Sequence, residues 1–329
     1  MSVWGRCVSV CLSALLLLTG CSTIDDDLSD CGVDYQMDYH LQLVTNFNTE
    51  LQTQLTTETE VKVGDALRRH LNGIFADFAH DIDLSFFGTE GEDELLWHTE
   101  EVMDASEKTF TFYLPKNNYR HLALANLQQN SQVSAEGGEQ GQTLHLVQKE
   151  GDKVESHETG LFTARTDMDV KEGVDQTFNV SLYMANSAVA LVLDPRGNDV
   201  SSIQVYSTGF ATGFNVNDST YTFAEKSPLI HTQEIDTGTD QQCFCTVNFP
   251  SRDEVEGNEP FWQFYVYVTK NDGTITETVL NVYKPLKAGE LQIVKAYLDE
   301  DGVAYPTDAT VGVSVTLDWN SGGEHDIEL

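Results

Sequence analysis

The sequence predicts a mainly β protein of sandwich type with one helix near its start. Three observations carry that expectation. Short alternating segments recur along most of the 329 residues, divided by Gly, Asn, Asp and Pro turns. One stretch alone shows apolar residues at strong helical spacing. Many short strands with little helix bury their apolar faces sheet against sheet.

The elements follow in order. Residues 1–20 read as a removable leader. Arg6 precedes an apolar run from Val8 to Leu18, and Leu18-Thr19-Gly20-Cys21 closes it. A basic start, a short apolar middle and small residues before a cut site mark a secretory signal. The run is about eleven residues, and a spanning helix needs roughly twenty. The tetrapeptide resembles a lipobox, cut between Gly20 and Cys21, with diacylglycerol attached through the Cys21 sulfur. Each buried methylene of such a lipid contributes ~0.8 kcal/mol, so several acyl chains hold almost permanently. Residues 21–33 then form an acidic tether. Its Asp25-Asp26-Asp27 run resembles surface-export signals of lipoproteins in some anaerobic Gram-negative bacteria, and a solvated spacer would look the same.

A first unit is expected over residues 34–168. Asp34 to Phe47 alternates as a strand. Val63 to His80 reads as the helix, with Leu67, Leu71, Ile74, Phe75 and Phe78 on one core-facing stripe. Strand-like runs follow at Ile82–Phe87, Thr109–Leu114, Tyr119–Leu127, Leu144–Val147 and Gly160–Thr163, and residues 128–142 read as a surface loop or hairpin tip. The polar stretch Asp167–Gln176 is the expected junction.

A second unit is expected over residues 177–329. It opens with Phe178, Val180, Leu182 and Met184 in alternation, then Val189, Leu191 and Leu193. Later strands are expected at Ile203–Ser207, Thr220–Phe223, Cys243–Phe249, Phe261–Thr269, Thr276–Tyr283 and Leu291–Tyr297. Pro195–Asn198, Asn271-Asp272-Gly273 and Asp301-Gly302 are turns. Val311, Val313, Val315, Leu317 and Trp319 make a half-buried final strand, and a short tail carries Ile327 and Leu329 beyond Gly322-Gly323.

Charge excludes some partners. Asp plus Glu number 53 against 18 Lys plus Arg, a formal charge of -35. Such a surface repels nucleic acid and anionic headgroups and favours solubility. The chain carries no nucleophile elbow, no zinc-protease helix and no phosphate-binding glycine loop. The nine histidines are scattered. Asp81-x-Asp83, Asp167-x-Asp169 and Asp299-Glu300-Asp301 read as solvated surface rather than calcium loops. Cys31, Cys243 and Cys245 remain beside Cys21, an odd number for an oxidising compartment. Cys31 could pair with either of the other two, which share one strand face. No cofactor, metal site or catalysis is expected beyond the lipid on Cys21. Phe261, Trp262, Phe264, Tyr265 and Tyr267 could offer a sugar-stacking platform, but Trp262, Phe264, Val266 and Val268 fit an inward face.

In sum of these residues the chain resembles the FimB family of fimbrial anchor lipoproteins, the anchoring subunits of type V major and minor fimbriae. The match is carried by Cys21, the tether ending Asp27-Leu28-Ser29-Asp30-Cys31, Tyr39–Asn46, Ser181–Leu193 and Leu317-Asp318-Trp319. It spans nearly the whole mature chain, and the order of these motifs gives it specificity. The resemblance implies two transthyretin-like Greek-key β-sandwich domains in tandem, with one short helix in the first. It implies no catalysis, an outer-membrane location, and a role in attaching a fimbrium and limiting its length. Partners would be fimbrillins, joined through sheet edges or strand exchange. In related subunits a protease removes the first strand after a basic residue, and a neighbour's C-terminal strand fills the groove. Here no Lys or Arg occurs from Cys21 to Val61, so the first strand should stay with its lipid. The Ile327/Leu329 tail is a candidate exchange strand. A surface carbohydrate-binding lipoprotein, with an aromatic near Trp97 or Trp262, and a fimbrial tip or adhesin subunit are the alternatives.

Overall fold

The computed structural model describes residues 33–41, 51–52, 54–75, 79–89, 94–102, 109–138, 141–146 and 153–318. In chain order the first half holds β1 (Val33–Leu41), α1 (Glu58–Ile74), β2 (Asp81–Gly88), β3 (Glu94–Val102), β4 (Thr109–Leu114) and β5 (Asn117–Ala125). Next come β6 (Val133–Gly138), β7 (Gly141–Leu146), β8 (Lys153–Glu155), β9 (Phe162–Val170) and β10 (Gln176–Met184). The second half holds β11 (Ser187–Asp194), β12 (Val200–Thr208), β13 (Gly213–Asn215), β14 (Thr220–Thr222), β15 (Leu229–His231) and β16 (Gln233–Ile235). It ends with β17 (Gln242–Asn248), β18 (Trp262–Lys270), β19 (Ile275–Val282), β20 (Leu291–Leu298), β21 (Ala304–Pro306) and β22 (Val311–Asp318).

Seven strands run in the order β3-β2-β5-β9-β10-β1-β4. They do not lie flat. Tyr35 on β1 meets Phe86 on β2 with ring centroids 6.1 Å apart. Four strand spacings of about 4.8 Å would separate those strands in a flat sheet. The sheet therefore folds over on itself. The crease is at β9 and β10, which pair only at Thr163↔Tyr183 and Phe162↔Met184. Beyond those pairs β9 follows β5 antiparallel, and β10 follows β1 in parallel. The result is a sandwich filled by Tyr35, Met37, Tyr39, Phe86, Leu114, Tyr119 and Met168.

A second sandwich sets β16-β17-β11-β20-β21 against β22-β19-β18-β12-β15-β8. Leu191, Phe244, Trp262, Phe264, Val266, Leu280 and Val294 fill it. Ser207 on β12 and Thr246 on β17 hydrogen bond across it at 3.0 Å. A four-stranded sheet, β14-β13-β7-β6, draws strands from both halves of the chain. Its Leu144 and Phe214 join Phe87, Leu122 and Leu124 from the outer face of β2 and β5.

Helix α1 lies between the sandwiches. Its Val63, Ala66, Leu67 and Leu71 share one core with Ala188, Ala190, Cys243, Cys245 and Val247 of the second sandwich. Burying Val or Leu contributes roughly 1.5–3 kcal/mol each. The helix starts five residues before the expected Val63. Thr57 caps it, and Thr57 and Glu60 bond reciprocally as a capping box. The polar first turn hides that start from a reading of apolar spacing. It ends at Ile74 rather than His80 and spans 17 residues, and Phe78 lies outside the described residues.

Thr109–Leu114 and most later strands fall where alternation places them, within a residue or two. Residues 128–142, expected as loop or hairpin tip, form β6 and begin β7, paired from Val133↔Leu146 to Gly138↔Gly141. Glu94–Val102, without alternation, is strand β3. The stretch Asp167–Gln176 spans the end of β9, a turn and the start of β10, and β10 lies between β9 and β1 in the seven-stranded sheet.

Candidate functional site: the seated first strand

β1 occupies the middle of its three-stranded layer. It pairs in parallel with β10 from Tyr35↔Gln176 to Leu41↔Leu182. On its other side it pairs antiparallel with β4 from Val33↔Leu114 to Asp38↔Thr109. Alternation sets its two faces. Tyr35, Met37 and Tyr39 are at most 1% exposed, and Gln36 and His40 point to solvent. Tyr35 packs on Phe112 at 5.9 Å and Phe178 at 5.4 Å, and Tyr39 on Phe110 at 5.6 Å. Rings on both flanking strands thus hold this one.

A buried polar contact fixes its register. His121 on β5 is fully buried and stacks on Phe86 at 4.2 Å. Its Nδ1 lies 3.2 Å from the Ser85 carbonyl, so that nitrogen carries the proton and donates. Its Nε2 then accepts from the Tyr39 hydroxyl at 3.3 Å. Burial drives the His121 pKa down to about 3, so the imidazole is neutral at physiological pH. Burial also holds the Tyr39 hydroxyl well above its ordinary range. A one-residue slip of β1 would turn Tyr39 out and leave the His121 Nε2 without its partner.

Cys21, Gly20, Cys31, Ile327 and Leu329 lie outside the described residues. Cys243 and Cys245 are free thiols on β17, both 0% exposed, on the face toward α1. Burial pushes the Cys243 thiol up to about 12. Trp262 is 1% exposed and donates to the Lys284 carbonyl and Gln292 Oε1, both at 3.2 Å. With Phe264, Val266 and Val268 it makes the inward face that alternation implies, so it offers no stacking platform. The acidic pairs serve local structure. Asp81 accepts from the Gln128 amide at 3.1 Å, Asp83 bonds His98 at 3.0 Å, and Asp299 accepts from the Asp301 and Val303 amides. Among the described residues no His, Cys, Asp and Glu gather as metal ligands, and no helix is long and apolar enough to cross a membrane.

The sequence profile of the fimbrillin-A associated anchor proteins Mfa1 and Mfa2 matches residues 48–321. The chain belongs to that family. No curated protein matches it in sequence. A candidate polysaccharide-binding protein from Bacteroides thetaiotaomicron shares the fold at TM-score 0.52 and 10% identity, covering 86% of this chain and 98% of its own. A candidate adhesin from the same organism matches at TM-score 0.52 and 11% identity, with coverage of 87% and 98%. The fimbrial anchor protein Mfa2 from Porphyromonas gingivalis aligns at TM-score 0.47 and 12% identity, with coverage of 87% and 99%.

In this anchor-family chain the sheet edges differ in how open they are. An edge strand offers unpaired backbone groups to another chain. β8, β16 and β21 are three residues each, and β21 contains Pro306. β3 reads ELLWHTEEV, with three glutamates. β4 and β22 are longer and nearly uncharged, TFTFYL and VGVSVTLD. β20 is covered by β21 only from Ala296 to Leu298, so its first half is open among the described residues. Sequence reasoning missed this feature, because nothing in the apolar pattern says where a partner strand stops.

Proposed function

We propose that this chain is a lipid-anchored outer-membrane lipoprotein that holds the cell-proximal end of a fimbrium and limits its length. Family membership supports the fimbrial role. The observation that carries the anchoring reading is the first strand, seated mid-layer with its inward side chains buried. Upstream of α1 there is no basic residue from Cys21 to Val61 at which a trypsin-like protease could release it. A subunit that keeps this strand leaves no vacated slot there for a neighbour's strand, which suits the end of a chain of subunits. Lipid on Cys21 would connect the strand, through the acidic tether, to the membrane.

The wiring also supports two transthyretin-like domains in tandem. β1 and β11 each lie between one antiparallel and one parallel neighbour: β4 and β10 for the first, β17 and β20 for the second. The division then falls near Ala185–Asn186, after β10. Partners would be fimbrillins, joined at a sheet edge or by the Ile327/Leu329 tail. The carbohydrate-binding alternative has less behind it, since Trp262 is buried.

Cys21→Ser in fimbriated cells tests the proposal. Fimbriae should become long, loosely held or shed into the medium. Fimbriae that stay attached at normal length would overturn it.

A further inference from the structure

We propose that the open half of β20 is the docking cleft for an extended segment of a fimbrial subunit, one with apolar side chains on one face and a carboxylate on the other. The inference rests on the fimbrial reading above and names where the partner binds. The cleft has a volume of about 370 Å³ and lies between the edges of the second sandwich's two sheets. Gln292 to Lys295 of β20 form one wall, and Trp262, Val282 and Val311 give an apolar opposite side.

Backbone direction makes the wall adhesive. The Ala188 amide donates to the Glu290 carbonyl at 2.9 Å, and Ala188 is in register with Leu291. In a parallel ladder this turns the amide groups of Gln292 and Val294 toward β11, and those of Leu291 and Ile293 away from it. The same alternation accounts for the Lys295 carbonyl, which accepts from the Thr307 amide at 2.8 Å where β21 ends. The Ile293 groups therefore face the cleft, ready for a strand that continues the line of β21.

Charge selects the occupant. In a chain with 53 acidic and 18 basic residues, Lys284 and Lys295 line one cleft. Glu60 neutralises Lys295 at 3.0 Å, and Asp308, held as an anion by the amide and hydroxyl of Thr310, acts on Lys295 rather than pairing with Lys284. Lys284 has no ion-pair partner among the described residues, so the cleft favours a carboxylate beside it. β22 begins at the cleft with Val311 and runs away from it to Asp318, about 23 Å at strand rise.

The test uses the full chain in fimbriated cells, with Thr307→p-benzoylphenylalanine at the cleft and Thr220→p-benzoylphenylalanine on β14 as the remote control. Irradiation should join a fimbrial subunit to position 307 and not to 220. Cross-links equal at both sites, cross-links only to the protein itself, or none while subunits still co-purify would overturn the cleft and leave the anchor reading standing. Loss of all co-purification from the unsubstituted protein would defeat both. Ile293→Pro gives a second readout, because it removes an amide that faces the cleft and not β11. It should cut co-purified subunit roughly tenfold, equivalent to about 1.4 kcal/mol, with the melting temperature little changed. A folded Ile293→Pro protein with full capture would count against the cleft; if that variant does not fold, Lys284→Glu should show the same loss.

Discussion

β1 and β11 hold equivalent places in the two sandwiches and are buried in opposite styles. Each is flanked by one antiparallel and one parallel strand. β1 alternates, with Tyr35, Met37 and Tyr39 inside and Gln36 and His40 outside. β11, SAVALVLD, is buried at every position but its last. One face of β11 meets α1 and the first core, and the other meets Leu280 and Val294 in the second. A strand buried on both faces is fixed by two cores at once. A strand with one wet face is held by a single core and its ladders.

Charge insertion is the strongest way to break that contrast. Ala190→Asp and Leu191→Asp, on opposite faces of β11, should each cost more than about 4 kcal/mol, since either carboxylate would be buried without a partner. Met37→Asp should do the same in β1, whereas Gln36→Asp should fall within about 0.5 kcal/mol of the parent. Urea unfolding midpoints measure all four. A severe loss from Gln36→Asp would mean that the outer face of β1 is covered.

Acid gives the next largest effect and reports on the first sandwich and on the place where the two meet. His121 locks β1 in the first sandwich. His157 lies where the two meet, 3.4 Å from Asn186 and in edge contact with Phe249. Burial lowers both to about 3 from an ordinary 6.5. Below 6.5 the unfolded chain takes up protons that the folded chain refuses. Stability is therefore lost as pH falls from about 6.5 toward 3, by up to ~1.4 kcal/mol per unit for each histidine. At pH 5 the loss should be about 2 kcal/mol per residue relative to pH 7. His121→Gln should remove roughly half of this pH slope. An unchanged slope in both His121→Gln and His157→Gln would show that neither ring is held neutral.

The sequence shows the strands well where one face is wet and poorly where burial is two-sided or pairing is remote. Alternation alone locates β1, β10, β18 and β22. Turn chemistry locates the β18–β19 hairpin, where Gly273 takes a φ of 86° and donates to the Lys270 carbonyl at 2.9 Å. The antiparallel sheet of β6, β7, β13 and β14 is legible only at Leu144–Val147 and Thr220–Phe223, because the pair that joins it, β7 with β13, lies some 70 residues apart in sequence. A polar turn such as Asp167–Gln176 looks alike whether it joins two sandwiches or two layers of one. At the candidate site, the residues Tyr35, Met37 and Tyr39 are visible as an inward face. Their partner His121 is not, since a lone histidine in an apolar run carries no sign of which strand it will meet.

The smallest expected effect lies in the element that joins the two sandwiches. Glu60 closes the capping box with Thr57 and reaches Lys295 on β20 at 3.0 Å, and the Lys295 ammonium also donates to the Gln54 carbonyl at 2.9 Å. Burial alone would raise the Glu60 carboxyl. Hydrogen bonds from the Thr57 amide, Lys295, the Thr57 hydroxyl and the Thr56 amide outweigh it and bring the pKa down to about 2. A lowered carboxyl stabilises the fold above its ordinary pKa near 4.5, and that support is lost as pH falls toward 2. Thr57→Ala should cost about 1 kcal/mol at neutral pH through the lost cap. It should also raise the Glu60 pKa, because one of its donors is removed and the reciprocal geometry loosens. Hydrogen exchange sharpens the comparison: protection should fall in the first turn of α1 and at the Gln292 and Val294 amides of β20, while the amides of β1 keep theirs. Equal loss in β1 would mean that α1 supports the first strand's seat as well, and that the two sandwiches do not open independently.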